Sequence, residues 1–187
     1  MVQVLIIKAA WGGKSLGVDF LPPSSGSNPA TAAGGDPGYY YQQILDIVND
    51  ATANLGTYFP DYDGGGYEIA GFAWHQGWND RIDAARSAAY ETNMANFIND
   101  MRSDLSAPGM PFVIASSALD PWITYTRVEQ AQLAMADAVA YPAFSGNVAS
   151  IDARQPYEGL TFWQLAEDSP RNEGFHWNRN AKTYLNL

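Results

Sequence analysis

Short apolar runs rich in β-branched residues alternate along this chain with stretches whose apolar residues recur at helical spacing, and no other feature restricts the fold as strongly. The runs span Val2 to Lys8, Glu68 to His75, Pro111 to Ser116 and Asn147 to Asp152, and each reads as a strand bounded by turn residues. Between them, Ile44, Val48, Ala51 and Leu55 share one helical face. So do Tyr90, Met94, Phe97, Ile98, Met101 and Leu105, and after them Val128, Met135 and Val139. A last short helix is expected to begin near Asn178. Strands that alternate with helices of this length form βαβ units, so the expected fold class is α/β, with a mostly parallel sheet between helical layers (α/β/α).

At 187 residues and 47% hydrophobic composition, the chain can bury the core of one domain, and residues 1–187 read as a single unit. Twenty acidic against ten basic residues leave a formal charge of −10. That charge repels phosphodiester backbones and anionic membrane surfaces, so neither nucleic acid nor membrane is an expected partner. No apolar run approaches the roughly 18 residues of a membrane span. There is no cysteine, which removes thiolate nucleophiles and Cys-based zinc sites.

Ligands of open parallel sheets sit beyond the carboxyl ends of the strands. The segments leaving the expected strands are 9–38, 76–84, 117–124 and 153–177, and the first and last far exceed an ordinary βα loop of about two to six residues. In the first, "LIIKAAWGGKSL" (5–16) comes close to a phosphate-binding loop. Lys8 stands where that loop needs its first glycine, and Pro22 and Pro23 prevent the long helix that should follow. Gly12 and Gly13 then serve either a tight turn or the close approach of a bare backbone N–H to a reacting atom.

After the second run comes "WHQGWNDR" (74–81), with a histidine, a glycine, an asparagine and an aspartate at a strand end. The Asn79 amide can donate to a developing oxyanion, and Gly77 lets the chain turn sharply enough to aim it; the same residues are also ordinary turn chemistry. Near the C-terminus, Glu173 lies three residues before His176 in "NEGFHWNRNAKTY" (172–184). A carboxylate at that spacing can fix one imidazole nitrogen and leave the other as a base. His75 has no such partner before it, so His176 is the expected base and His75 a supporting residue. A metal-dependent hydrolase would have to draw on His75, Asp80 and His176, without a close histidine pair or a dense carboxylate cluster.

In these residues the chain resembles the SGNH hydrolases, and within them the sialate O-acetylesterase-like (SASA) carbohydrate esterases. "AAWGGKSL" is similar to that superfamily's glycine block, "QGWND" (76–80) to its G-x-N-D block, and "EGFHWN" (173–178) to its acid-x-x-His block. The resemblance implies a flavodoxin-like α/β/α fold. It implies Gly13 N–H and the Asn79 side chain as oxyanion donors, His176 as general base and Glu173 as its orienting acid, where the family more often has aspartate. Gly13 is preferred to Gly12 because it directly precedes the polar Lys14–Ser15 pair. Gly12, Trp78 and Asp80 are candidates for substrate contact. The family's serine, in a G-x-S block at the end of a strand before the glycine block, has no counterpart in these residues. The expectation is therefore an N-terminally incomplete copy lacking that first strand, with the nucleophile unknown and Ser15 bracing the glycine turn.

The implied activity is carbohydrate O-acetylesterase, a carboxylic ester hydrolysis with no cofactor and no metal. Little turnover is expected from the chain as it stands. The expected partner is a small-molecule or polysaccharide acetyl ester such as an acetylated xylan, and the resemblance favours a periplasmic or extracellular location. Tyr39, Tyr40, Trp78, Trp122 and Trp177 fall in the expected active-edge loops, where rings could stack on sugars. The alternative is a non-catalytic carbohydrate-binding domain derived from such an esterase, using the same aromatic edge.

Overall fold

A computed structural model describes residues 4–27, 37–117 and 126–153 of the chain. Three strands form one parallel sheet in the order β1 (Phe72–Trp74), β2 (Phe112–Ala115), β3 (Val148–Ile151). Phe72, Phe112 and Val148 sit side by side at the start of the sheet, and Trp74, Ile114 and Ser150 two residues further on. The expected mixed α/β class with a parallel sheet is what forms. Three of the four expected strands are present, each shorter than its apolar run.

The fourth is a correction. Residues 4–8 form no strand, and Val4 and Ile6 are 80% and 75% exposed. An apolar run becomes a strand only when another backbone meets its N–H and C=O groups, and among the described residues none does. The outer edge of β1 is likewise unpaired within that set.

Helix α1 (Tyr39–Ala53) is followed by the single turn α2 (Leu55–Tyr58), and the short α3 (Trp78–Arg81) by the long α4 (Ala84–Asp104). Asp83 starts α4 by accepting a hydrogen bond from Arg86 N at 2.8 Å. Tyr90, Met94, Phe97, Ile98 and Met101 of α4 are all fully buried at helical spacing against the sheet. Phe97 meets Trp74, Phe72 and Phe112 at ring-centroid distances of 4.5, 5.8 and 6.3 Å. Burying a side chain of this kind contributes about 1.5–3 kcal/mol, which makes this one helix face the centre of the core. At the far end of α4, buried Arg102 donates to Met110 O and to Asn147 Oδ1 at 2.9 and 2.8 Å, fixing the segments that enter β2 and β3.

Helix α5 (Arg127–Ala134) opens with a reciprocal cap, in which Thr126 Oγ1 accepts from Glu129 N while the Glu129 carboxylate accepts from Thr126 N. The helical face expected to run on to Val139 stops short. Asp137 Oδ1 accepts from Val139 N at 2.8 Å, a local turn that competes with the helix, and Val139 is 89% exposed. The helix expected near Asn178 lies outside the described residues. Among the described residues no helix is long and apolar enough to cross a membrane.

Candidate active site

The site is built where β1 ends and the 12–17 turn crosses it. Gly13 takes a left-handed backbone, φ +72, which lets the chain reverse directly after Trp11. Beyond β1, the chain passes through His75, Gln76 and Gly77 into α3, which carries Trp78, Asn79 and Asp80.

These two segments are fastened together residue by residue. Asn79 Nδ2 donates to Gly13 O, and Gln76 Nε2 donates to Lys14 O at 2.9 Å. The Asp80 carboxylate accepts from Leu16 N at 2.9 Å and from Gly17 N at 2.8 Å, and Gln76 Nε2 donates to it as well at 2.6 Å. Gly17 leaves room for this approach. A Cβ there would lie 2.8 Å from Arg86 Cγ and 3.3 Å from Asp80 Oδ1.

The turn is also braced from within. Ser15 is fully buried, and its N–H and its Oγ both donate to Asp19 Oδ2, at 2.8 and 3.0 Å. Lys14 pairs with the other oxygen of Asp19 at 3.3 Å and lies over the Tyr40 ring. A hydroxyl so committed is a brace, as its place in the turn implied.

Below the turn, the Gln76 main-chain carbonyl accepts from Tyr90 Oη at 3.0 Å, from Ser117 Oγ at 3.1 Å and from Gln132 Nε2. Gln132 is fully buried, and its Oε1 accepts from Ser117 N at 2.9 Å. One backbone carbonyl thus gathers α4, α5 and the end of β2. Sequence reasoning missed Gln76, Tyr90, Ser117 and Gln132 as site supports. The available signal was Gln132, a polar residue one turn beyond Val128 on the inward face of its helix.

Gly13 and Asn79, expected as oxyanion donors, are adjacent in the structure. Gly13 N–H makes no hydrogen bond to another described residue, and Asn79 keeps a second amide hydrogen beyond the one given to Gly13 O. Gly12 is exposed on the outside of the turn. Trp78 is 52% exposed, with the Arg81 guanidinium 4.2 Å from its ring centre. Asp80 corrects the expectation of substrate contact: it is fully buried, and both of its oxygens are taken by protein N–H groups. His75 stands exposed after β1, with its imidazole lowered below the ordinary range by desolvation from the protein around it. Glu173 and His176 lie outside the described residues. Among the described residues no group of three His, Asp or Glu side chains is placed to hold a metal ion.

Burial pushes the Asp80 carboxyl above the usual range, against the opposing pull of Gln76, Leu16 N and Gly17 N. A group whose pKa is higher folded than unfolded favours folding below its unfolded pKa, and loses that contribution as pH rises through the folded value. Asp80→Asn cannot titrate, and its amide must set one NH2 against a backbone donor, at a cost of about 1–3 kcal/mol. In thermal melts the deficit of this variant relative to the parent is therefore largest in acid and narrows as pH rises toward neutrality. A deficit that widens with pH would contradict the account.

The chain belongs to the family described as carbohydrate esterase, sialic acid-specific acetylesterase, which it matches over residues 1–156. This is the family that its three motifs resembled. The match takes in the 12–17 turn and the G-x-N-D block and ends before Glu173. No curated protein matches the chain. Among solved structures it is similar to a protein from Arabidopsis thaliana, determined by X-ray crystallography at 1.6 Å resolution, with 24% sequence identity and a TM-score of 0.42. That similarity covers 61% of this chain and 40% of the Arabidopsis chain. The family is described as one of esterases that act on carbohydrate.

Proposed function

We propose that the corner formed by Gly13 and Asn79 is the oxyanion hole of an SGNH-type serine O-acetylesterase acting on acetylated sugars. The observation that carries the reading is the junction itself. An open glycine N–H and an asparagine amide, the latter oriented by its bond to Gly13 O, sit together at the carboxyl end of a parallel strand. Family membership supports a carbohydrate ester as the substrate class.

In the proposed reaction, His176, oriented by Glu173, takes the proton of a serine hydroxyl as the serine oxygen attacks the acetyl carbonyl. The negative charge that develops on the carbonyl oxygen is met by Gly13 N–H, the Asn79 amide and the serine's own N–H. Collapse of the tetrahedral intermediate breaks the bond to the sugar oxygen, which takes the proton from His176 and leaves as an alcohol. Water, activated by the same histidine, attacks the acetyl-serine and releases acetate. The serine is not one of the described site residues, and Ser15 is already committed to Asp19. Trp78 offers a ring face on which a sugar can stack.

Two measurements on these 187 residues test the reading. By calorimetry, an O-acetylated sugar binds more tightly than its deacetylated counterpart, whereas equal affinities would favour a plain carbohydrate-binding domain. Aryl acetate is hydrolysed slowly or not at all, and Ser15→Ala leaves that rate unchanged. Robust turnover abolished by Ser15→Ala would overturn the assignment of Ser15 as a brace.

A further inference from the structure

Two exposed aromatic rings flank the corner formed by Gly13 and Asn79. Trp78 precedes Asn79 and is 52% exposed, with Arg81 on one face of its ring. From Gly13 a line of contacts leads away in the other direction. Lys14 follows Gly13 directly, its Nζ lies 4.5 Å from the centre of the Tyr40 ring, and Tyr40 meets Tyr39 in a T-shaped contact at 5.0 Å. Tyr39 ends that line, 47% exposed at the start of α1.

The Tyr39 ring is held in place from behind. Tyr40, half-buried, lies 5.0 Å from Trp11 and 5.9 Å from Phe20, and Phe20 packs on Trp74 of β1 at 5.3 Å. The backbone is fixed as well, since Gly38 N donates to Val18 O and Tyr40 N to Asp19 O, each at 2.9 Å. A surface ring fixed in advance gives up little freedom when a ligand stacks on it, so such a ring suits the apolar face of a sugar. The charge beside it is already balanced. Lys14 pairs with Asp19 at 3.3 Å, so this side of the corner offers hydrogen-bonding groups and no free charge. A neutral, hydroxyl-rich unit fits it.

We propose that Tyr39, backed by Tyr40 and Lys14, forms a second sugar subsite, and that the substrate is an acetylated oligosaccharide or polysaccharide and not a free monosaccharide. The acetylated unit lies at the corner against Trp78, and a neutral neighbour in the same chain stacks on Tyr39. This deepens the esterase reading and rests on it for the place of the acetyl group.

Calorimetry on the whole chain tests the subsite with xylose and β-1,4-linked xylobiose, each with and without one O-acetyl group. The acetylated disaccharide binds about five- to tenfold more tightly than the acetylated monosaccharide. Tyr39→Ala abolishes that gain, and Tyr39→Phe, which keeps the ring, retains it. Because Tyr39 lies at the surface, its truncation leaves the core intact. In an NMR titration the Tyr39 ring signals shift saturably with the disaccharide and not with the monosaccharide. Equal affinities for the two sugars, a gain that survives Tyr39→Ala, or disaccharide shifts that bypass Tyr39 would overturn the inference. The acetyl comparison is read separately: affinities indifferent to acetylation count against the esterase reading, while a Tyr39-dependent gain with chain length upholds the second subsite even then.

Discussion

For an active form of the proposed esterase, Asn79→Ala is expected to lower kcat for acetyl ester hydrolysis by about 10²–10³ and to change KM little. The side chain is asked to supply a hydrogen bond that strengthens only as charge builds on the carbonyl oxygen, so its loss falls on the chemical step and not on sugar binding. The variant also removes the donor to Gly13 O. That carbonyl lies at the surface and can take water in exchange, so the stability cost is small beside the catalytic one. Asn79→Asp is the sharper control. It keeps the size of the side chain, removes the NH2 and adds a negative charge beside the developing oxyanion, and its kcat falls at least as far as that of Asn79→Ala. Steady-state kinetics on an O-acetylated sugar decides the point, and a variant that keeps full kcat would remove Asn79 from the site.

The second large effect is expected at Gly77. A Cβ at this position would lie 2.1 Å from Ser117 Oγ, 2.9 Å from Val128 Cγ1 and 3.0 Å from Gln132 Nε2. Ser117 and Gln132 both donate to the adjacent Gln76 carbonyl and are held by it, so neither can withdraw without leaving a buried polar group unpaired. Gly77→Ala therefore costs about 1–3 kcal/mol by overpacking, seen as a fall in Tm of roughly 2–12 °C. It also displaces Asn79, two residues further on, so kcat falls well beyond what the lost stability explains. Ser117→Ala added to Gly77→Ala relieves the closest contact and recovers part of the melting temperature. Melts of the single and double variants test this, and a Gly77→Ala protein as stable as the parent would contradict the packing described here.

Much of the fold was legible because its signals are periodic and local. The apolar runs that hold Trp74, Ile114 and Val148 and the inward stripe Tyr90, Met94, Phe97, Ile98 and Met101 report burial directly. Residues 4–8 read as a strand for the same reason, yet strand formation depends on a partner that no local pattern discloses. Val139 fits the helical spacing of Val128 and Met135, but the side chain of Asp137 captures the backbone first. In the site, Gly13 and Asn79 were legible as residue types at strand ends. Their contact, which spans 66 positions of sequence, was not. Asp80 shows why. An aspartate in a polar turn resembles a surface or ligand-binding group, and only the fold reveals that its oxygens close on Leu16 N and Gly17 N, 64 and 63 positions away.

The central claim is that Gly13 N–H and the Asn79 amide converge on one anionic oxygen, and acetate, the small product of the proposed reaction, probes it without a nucleophile. In an NMR titration of the isotope-labelled chain with acetate, the account predicts saturable shifts at the Gly13 amide and the Asn79 side-chain NH2 together, with the Gly13 shift lost in Asn79→Ala. Shifts confined to other residues, or a Gly13 response that survives Asn79→Ala unchanged, would contradict it.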